Sequence, residues 1–173
     1  MNSNLFRYIF SFIFLILLQS FVLNNVQLSG YLNPYLYILF ILSLPFDISK
    51  YTLLLLSFLL GLCIDFFLGT TGVHASASVF MAFCRPFILR VIAPREGYDT
   101  ATRPRLQDMG VKWFIIYAFT LTLLHHLFLF YTEVFRFSHF FTTLGRSISS
   151  TLFTFILIFI SQLFIFKKAD SKS

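Results

Sequence analysis

Residues 61–75 read GLCIDFFLGTTGVHA: a carboxylate near the end of one apolar run, a Gly-Thr-Thr-Gly turn, and a histidine at the head of the next run. The flanking runs, Thr52 to Leu68 and Val73 to Val91, each approach the ~20 mostly apolar residues that a membrane-crossing helix needs. A link as short as Gly69, Thr70, Thr71 and Gly72 makes the two helices an antiparallel hairpin, which brings Asp65 and His74 to similar depth. Asp65 also shares a helical face with Gly61 and Gly69 at i−4 and i+4, where small residues admit a second backbone.

The same apolar signal recurs along the chain. Of 173 residues, 58% are hydrophobic and only 12% charged, with 26 Phe; no soluble domain of this length could bury so much apolar surface, so the bilayer must act as solvent. The fold class expected is all-α, a polytopic integral membrane protein forming a single bundle of about six transmembrane helices. The spans are placed at about 5–23, 31–46, 52–68, 73–91, 113–132 and 147–166. The first run carries Arg7 near its start but lacks a small-residue cleavage site, so it reads as a span and not as a signal peptide. The second run is short, led in by Asn33-Pro34 and ended at Pro45. It could be a tilted span, a re-entrant segment or a span reaching back to Gly30.

Parity and charge favour six crossings. With all six in place, one set of ends holds Arg7, Lys50, Arg90, Arg95, Arg103, Arg105, Lys112, Lys167, Lys168 and Lys172, and the other holds only Arg136 and Arg146. By the positive-inside rule both termini are then cytoplasmic. The formal charge of +6 therefore reports topology, and no nucleic-acid partner is expected. The longest polar stretch, Pro94 to Lys112, becomes a cytoplasmic loop in which Arg95, Glu96, Tyr98, Arg103 and Arg105 are candidate contacts for a partner. The Phe-rich stretch from Phe135 to Gly145 is expected at the outer interface, where aromatic rings suit the mixed environment.

Ionisable groups inside spans are expensive, so each asks for a partner or a role. Asp65 is either a packed interior carboxylate pinning the hairpin, with His74 as its partner, or a residue close enough to the interface to stay hydrated. Arg85 lies about 20 Å down its helix from the turn and precedes Pro86, so it is expected to snorkel toward headgroups beside Arg90 or to donate to carbonyls freed by the proline. His125 and His126 lie in the outer part of the fifth span, with Glu133 closing its end near Arg136. No HExxH-type spacing joins these residues, and Cys63 and Cys84 lack CxxC or Cys/His spacing, so neither a metal nor a disulfide is expected. No phosphate-binding glycine loop, nucleophile elbow or intramembrane aspartate pair is present, and no cofactor or catalytic activity is expected.

The order of these motifs resembles a family. Asn33-Pro34, Gly61-x3-Asp65, Leu68-Gly69-x2-Gly72-x-His74-Ala75, Arg85-Pro86 and Pro94 to Asp99 together resemble the rod shape-determining MreD family, in the form found in Bacteroidota. The resemblance implies a non-enzymatic membrane scaffold subunit of the bacterial cell-elongation complex. Its partners would be an MreC-like protein and, more widely, MreB, RodA and a transpeptidase, with membrane lipids around it. It also implies a structural role for Gly61, Asp65, Gly69 and Gly72, to which the reading of the residues themselves adds His74, Arg85 and Pro86 as structural or partner-binding candidates, and a helical fold shared with the substrate-binding subunits of energy-coupling-factor vitamin transporters. That relation supplies an alternative function, a small-molecule-binding subunit whose outer cavity His74, His125, His126 and Glu133 would line. The large residues of the first run do not offer the small-residue docking pair such transporter subunits use.

Overall fold

The computed structural model describes residues 3–25, 33–99, 102–134 and 140–170, with the side chains of 3–4 and 165–170 excepted. The chain is helical, and no strand occurs among the described residues. The helices are α1 (Ser3–Phe21), α2 (Leu39–Ser43), α3 (Lys50–Leu68), α4 (Val73–Val91), α5 (Leu106–Met109), α6 (Val111–Val134) and α7 (Phe140–Asp170), and a 3-10 turn at Leu36–Ile38 leads into α2. Among the described residues four stretches are long and apolar enough to cross a membrane: Leu5–Asn25, Lys50–Leu68, Val111–Val134 and Phe140–Phe164. The chain is thus an α-helical, membrane-embedded protein.

Two of the expected spans differ in character. α4 matches α3 in length, 19 residues each, but its buried face is mostly small and polar, with His74, Ala75, Ala77, Ser78, Ala82 and Arg85 beside Met81 and Leu89. The second segment is helical only over residues 36–43, with irregular chain before it and a bend after it, while residues 31–32 lie outside the described set. Its helical part rises only about 14 Å. At the other end of the chain, α7 begins at Phe140 and not at residue 147, so the Phe-rich stretch expected as an interfacial turn is partly helix; residues 135–139 lie outside the described set.

The bundle is apolar outside. Phe6, Phe66, Phe141 and Phe164 are 72–84% exposed, whereas Gln19, Ser57, Thr122, His125, Ser147 and Thr154 are buried. This inverts the soluble pattern, as an apolar solvent demands. Helices α3 and α4 pack against one another, α4 against α6, and α6 against α7, with α1 along α3. The short segment runs through the middle, with Tyr37, Ile38, Ile41 and Leu42 fully enclosed.

A buried backbone that is not helical must find partners elsewhere, because hydrocarbon offers none. At the head of the segment, Gln19 of α1 donates to the Pro34 carbonyl (2.9 Å) and accepts from the Leu36 N–H (2.8 Å). Two hydroxyls of α7 accept the next donors, Ser150 from the Asn33 N–H (3.3 Å) and Thr154 from the Tyr35 N–H (3.0 Å). At the tail, Arg85 donates to the carbonyls of Leu44 and Pro45 and, through Nε, to the Tyr117 hydroxyl (2.7 Å), which itself donates to the Leu42 carbonyl (3.0 Å).

Arg85 therefore does not snorkel. It is 1% exposed, and the carbonyls it meets belong to the broken second segment and not to the turn preceding Pro86. The tail leaves three carbonyls near one side chain, and a guanidinium with five donors answers two of them in a fixed fork and the third through the Tyr117 hydroxyl. Arg85→Met keeps the volume and strips the donors. We expect it to lower the unfolding free energy in detergent micelles by about 3 kcal/mol, the cost of leaving buried carbonyls unpaired, as measured by denaturant titration; an unchanged midpoint would mean these carbonyls are hydrated.

Candidate functional site

The α3–α4 hairpin is locked by one carboxylate. α3 starts at Ser49, whose hydroxyl accepts from the Thr52 N–H (3.1 Å), and ends at Gly69 in the left-handed region, φ 69°. α4 starts at Gly72, which has no side chain to cap the new helix. Asp65 supplies the missing cap from the preceding helix: Oδ1 accepts from the His74 N–H (3.1 Å) and Oδ2 from the Ala75 N–H (2.8 Å). These donors are among the first N–H groups of α4, which have no partner within the helix and favour negative charge. The Thr70 hydroxyl donates to Oδ1 at 2.5 Å, and His74 Nδ1 lies 3.1 Å from the same oxygen. A carboxylate here can only accept, so the ring carries a proton on Nδ1. With Asp65 only 2% exposed, the hydrated alternative is set aside.

Gly61 and Gly69 have different parts in this arrangement. A Cβ at Gly61 would meet the Ala75 Cα and the His74 carbonyl oxygen, both at 2.5 Å, so glycine is what lets α3 and α4 touch. A Cβ at Gly69 would meet nothing within 4 Å; its positive φ, and not close packing, is what suits it to its place.

Behind the hairpin lies a cluster of rings. Tyr35 packs edge-on to His74 at a centroid distance of 5.2 Å and against His126 at 5.5 Å; Tyr37 meets His125 at 5.6 Å and shares a hydrogen bond with its Nε2 (2.8 Å). His126 Nδ1 donates to the Thr122 carbonyl (2.8 Å), and its Nε2 takes the Thr154 hydroxyl (3.2 Å), whose oxygen also accepts the Tyr35 N–H. That chain ties α6, α7 and the central segment together. The tyrosines, Gln19 and Tyr117 were not singled out from the sequence, although polar atoms on Tyr and Gln inside apolar runs are a usable signal for buried hydrogen bonds.

The residues of the small-molecule alternative differ in exposure. His74, His125 and His126 are enclosed, at most 4% exposed, whereas Glu133 is exposed and pairs with Arg146 at 3.3 Å. Glu133 was expected beside Arg136, which lies outside the described residues; Arg146 takes that place and also stacks over Phe130 at 4.3 Å. Among the described residues no three of His, Cys, Asp or Glu group as metal ligands, and both cysteines are free thiols.

The loop residues divide. Arg95 and Glu96 are exposed in a turn closed by Gly97 N–H to Pro94 O (3.0 Å). Tyr98, expected as a contact surface, turns inward: its ring stacks on Phe46 at 4.3 Å, and its hydroxyl donates to the Leu89 carbonyl (2.7 Å) and accepts from Trp113 Nε1 (3.3 Å). Arg103 and Arg105 are half-buried beside α1.

The outward face of the hairpin is grooved. Near the turn a depression of about 570 Å³ is lined by Leu54, Phe58, Gly72, Ala75, Ser76 and Val79. A second, of about 460 Å³, shares Leu54 and Phe83 with it and continues past Ala82 and Pro86 to Lys50 and Arg90. The two form a trough along α3 and α4 with small side chains on its floor and two cations at its far end.

No family model, curated protein or solved structure matches the chain.

Two substitutions test the lock. Gly61→Ala puts a methyl into backbone that cannot yield, and should lower stability by roughly 1–3 kcal/mol; thermal unfolding in detergent that matches the wild type would place the two helices further apart. Asp65→Leu leaves the His74 and Ala75 N–H groups and the Thr70 hydroxyl without their acceptor. It should cost about 3 kcal/mol or more, with Asp65→Asn, which keeps one acceptor oxygen, falling between; equal stability of all three proteins in the same assay would remove the cap.

Proposed function

We propose that the chain is a non-enzymatic scaffold subunit of a bacterial cell-elongation complex, six-spanning in the inner membrane with both termini cytoplasmic. In this reading the trough along α3 and α4 receives the transmembrane helix of an MreC-like partner. MreB, RodA and a transpeptidase belong to the wider assembly.

The observation that carries the reading is the trough itself. Helices associate in lipid by close packing, and interfaces accordingly favour Gly, Ala and Ser. Gly72, Ala75, Ser76, Val79 and Ala82 follow one another along its floor, between walls supplied by Phe58, Phe80 and Phe83. The side of α4 away from the trough is fixed by Asp65 and Arg85, so the small residues line the trough on a stiff support. The six-span topology draws support from the central segment. Its head meets the His74 end of α4 and its tail meets Arg85, eleven residues further along, so it traverses about 16 Å of depth. Lys50, Arg90 and the three arginines at residues 7, 103 and 105 gather toward the Arg85 end, as a cytoplasmic surface would.

Affinity purification of the tagged protein from host membranes in mild detergent, with mass spectrometry of co-purified proteins and small molecules, tests the assembly. Recovery of an MreC-like protein from the wild type, and at least a tenfold loss with Ser76→Trp and Val79→Trp, is the expected result; filling a helix interface with a bulky ring costs on the order of 1–3 kcal/mol. Recovery of ATPase subunits or a bound vitamin would overturn it in favour of the transporter alternative, and undiminished partner recovery by the filled variants would move the contact to another face.

A further inference from the structure

Three guanidiniums from distant parts of the sequence meet at one small cavity. Arg7 of α1 and Arg103 and Arg105 of the loop before α6 line a space of about 150 Å³ together with Tyr8, Ser11 and Ser43. The Ser43 hydroxyl donates to the Phe40 carbonyl (2.9 Å). Arg7, Tyr8 and Ser11 make no hydrogen bond or ion pair among the described residues, and no carboxylate lines the cavity. Asp108 accepts the Arg103 N–H at 3.2 Å and attracts Arg105. The lining itself thus carries three guanidiniums and no carboxylate, a concentration of positive charge. Arg105 registers it: burial first, then Arg103 and Arg7, hold its guanidinium below the ordinary arginine value. Placing like charges together at the rim of an apolar bundle is unfavourable unless an anion joins them.

The cavity adjoins an apolar groove, with Tyr8 between them. Tyr8 lines both, and the groove continues for about 480 Å³ along α1, the central segment and α3, between Ile9, Phe12, Phe40, Leu44, Ile48 and Leu59. It presents no polar surface. A basic head joined to an apolar channel is complementary to a molecule with a phosphate at one end and an acyl chain at the other.

We propose that this site binds an anionic phospholipid of the inner leaflet, with its phosphate held by Arg7, Arg103 and Arg105 and one acyl chain laid in the groove between α1, the central segment and α3. Arg is suited to the head because its planar fork pairs with phosphate oxygens bidentately. Tyr8, at the junction, is amphipathic and belongs at that depth. The groove lies on the opposite side of α3 from the trough proposed for a partner helix, so the two assignments stand or fall separately. The loop arginines, expected to touch a protein partner, then serve a lipid.

Native mass spectrometry of the detergent-purified protein, titrated with phosphatidylglycerol, phosphatidylcholine or inorganic phosphate, tests this. Phosphatidylglycerol should stay bound to the wild type and should be favoured over phosphatidylcholine. Loss of two surface-layer arginines in Arg103→Gln/Arg105→Gln should weaken it roughly tenfold or more, and Arg103→Lys/Arg105→Lys, which keeps the charge, should lose much less. Leu44→Trp, which fills the groove and leaves the arginines in place, should also release the lipid. Equal retention of both lipids, or of phosphatidylglycerol by wild type and the Gln variant, would overturn the proposal. So would displacement by millimolar inorganic phosphate, which would identify a free anion as the occupant. Thermal unfolding of each variant in parallel separates lost binding from lost fold.

Discussion

The structure turns on a stretch of backbone that is buried without being helical. Residues 33–45 pass through the middle of the bundle with only a 3-10 turn and a five-residue helix, so their outer N–H and C=O groups have no partner within the segment. Water satisfies such groups in a soluble protein; hydrocarbon does not, and each one left bare costs free energy. Polar side chains from four helices are therefore drawn inward to meet them: Gln19 from α1, Arg85 from α4, Tyr117 from α6, and Ser150 and Thr154 from α7. The composition of the neighbouring helices follows from that requirement. α4 in particular gives up apolarity to carry Arg85, which explains why it falls outside the set of most apolar helices while being as long as α3.

The hairpin solves a similar problem at the other end. A four-residue turn with Gly at both ends reverses the chain in little space, but Gly72 cannot cap α4, and the first donors of that helix are buried. Asp65, one turn before the end of α3, answers them with both oxygens. The carboxylate thus gains the N-terminal field of α4 and two main-chain donors in return for its lost hydration. The close approach at Gly61 is the geometric counterpart, since without it the carboxylate would not reach. Charge, turn and glycine form one device, and both intramembrane charges of the hairpin are spent on main-chain groups.

Much of this was legible in the sequence where local spacing decides it. The hairpin, the Asp65–His74 pairing and the polar face of α4 follow from turn length and helical periodicity. Arg85 was misread because its partners lie 40 residues away, on a segment whose interruption is a tertiary outcome; Pro86 next door offered a nearer but wrong explanation. Pro34 and Pro45 marked the boundaries of the broken segment, yet how much of the interval would be helix depended on partners from α1 and α7 that periodicity does not reveal. The start of α7 at Phe140 went unread for a different reason: a Phe-rich stretch suits an interface and an apolar helix equally well.

Gln19, Asp65 and Arg85 are engaged with main-chain groups inside the bundle, whereas the surfaces proposed for other molecules lie on its flanks, and α3 divides them. On one side its Leu54 and Phe58 face a trough floored by Gly, Ala and Ser, where backbone can approach backbone. On the other its Leu56 and Leu59 face Ile9, Phe12 and Phe40, a wall of large, flexible or flat side chains that admits a chain but not a helix axis. Helix packing in lipid needs the first kind of surface, because dispersion contacts there must exceed those the lipid already gives. Acyl chains are content with the second. The different side-chain sizes on the two faces of one helix thus suit different classes of neighbour, and two cations, Lys50 and Arg90, line one face while three arginines line the cavity beside the other.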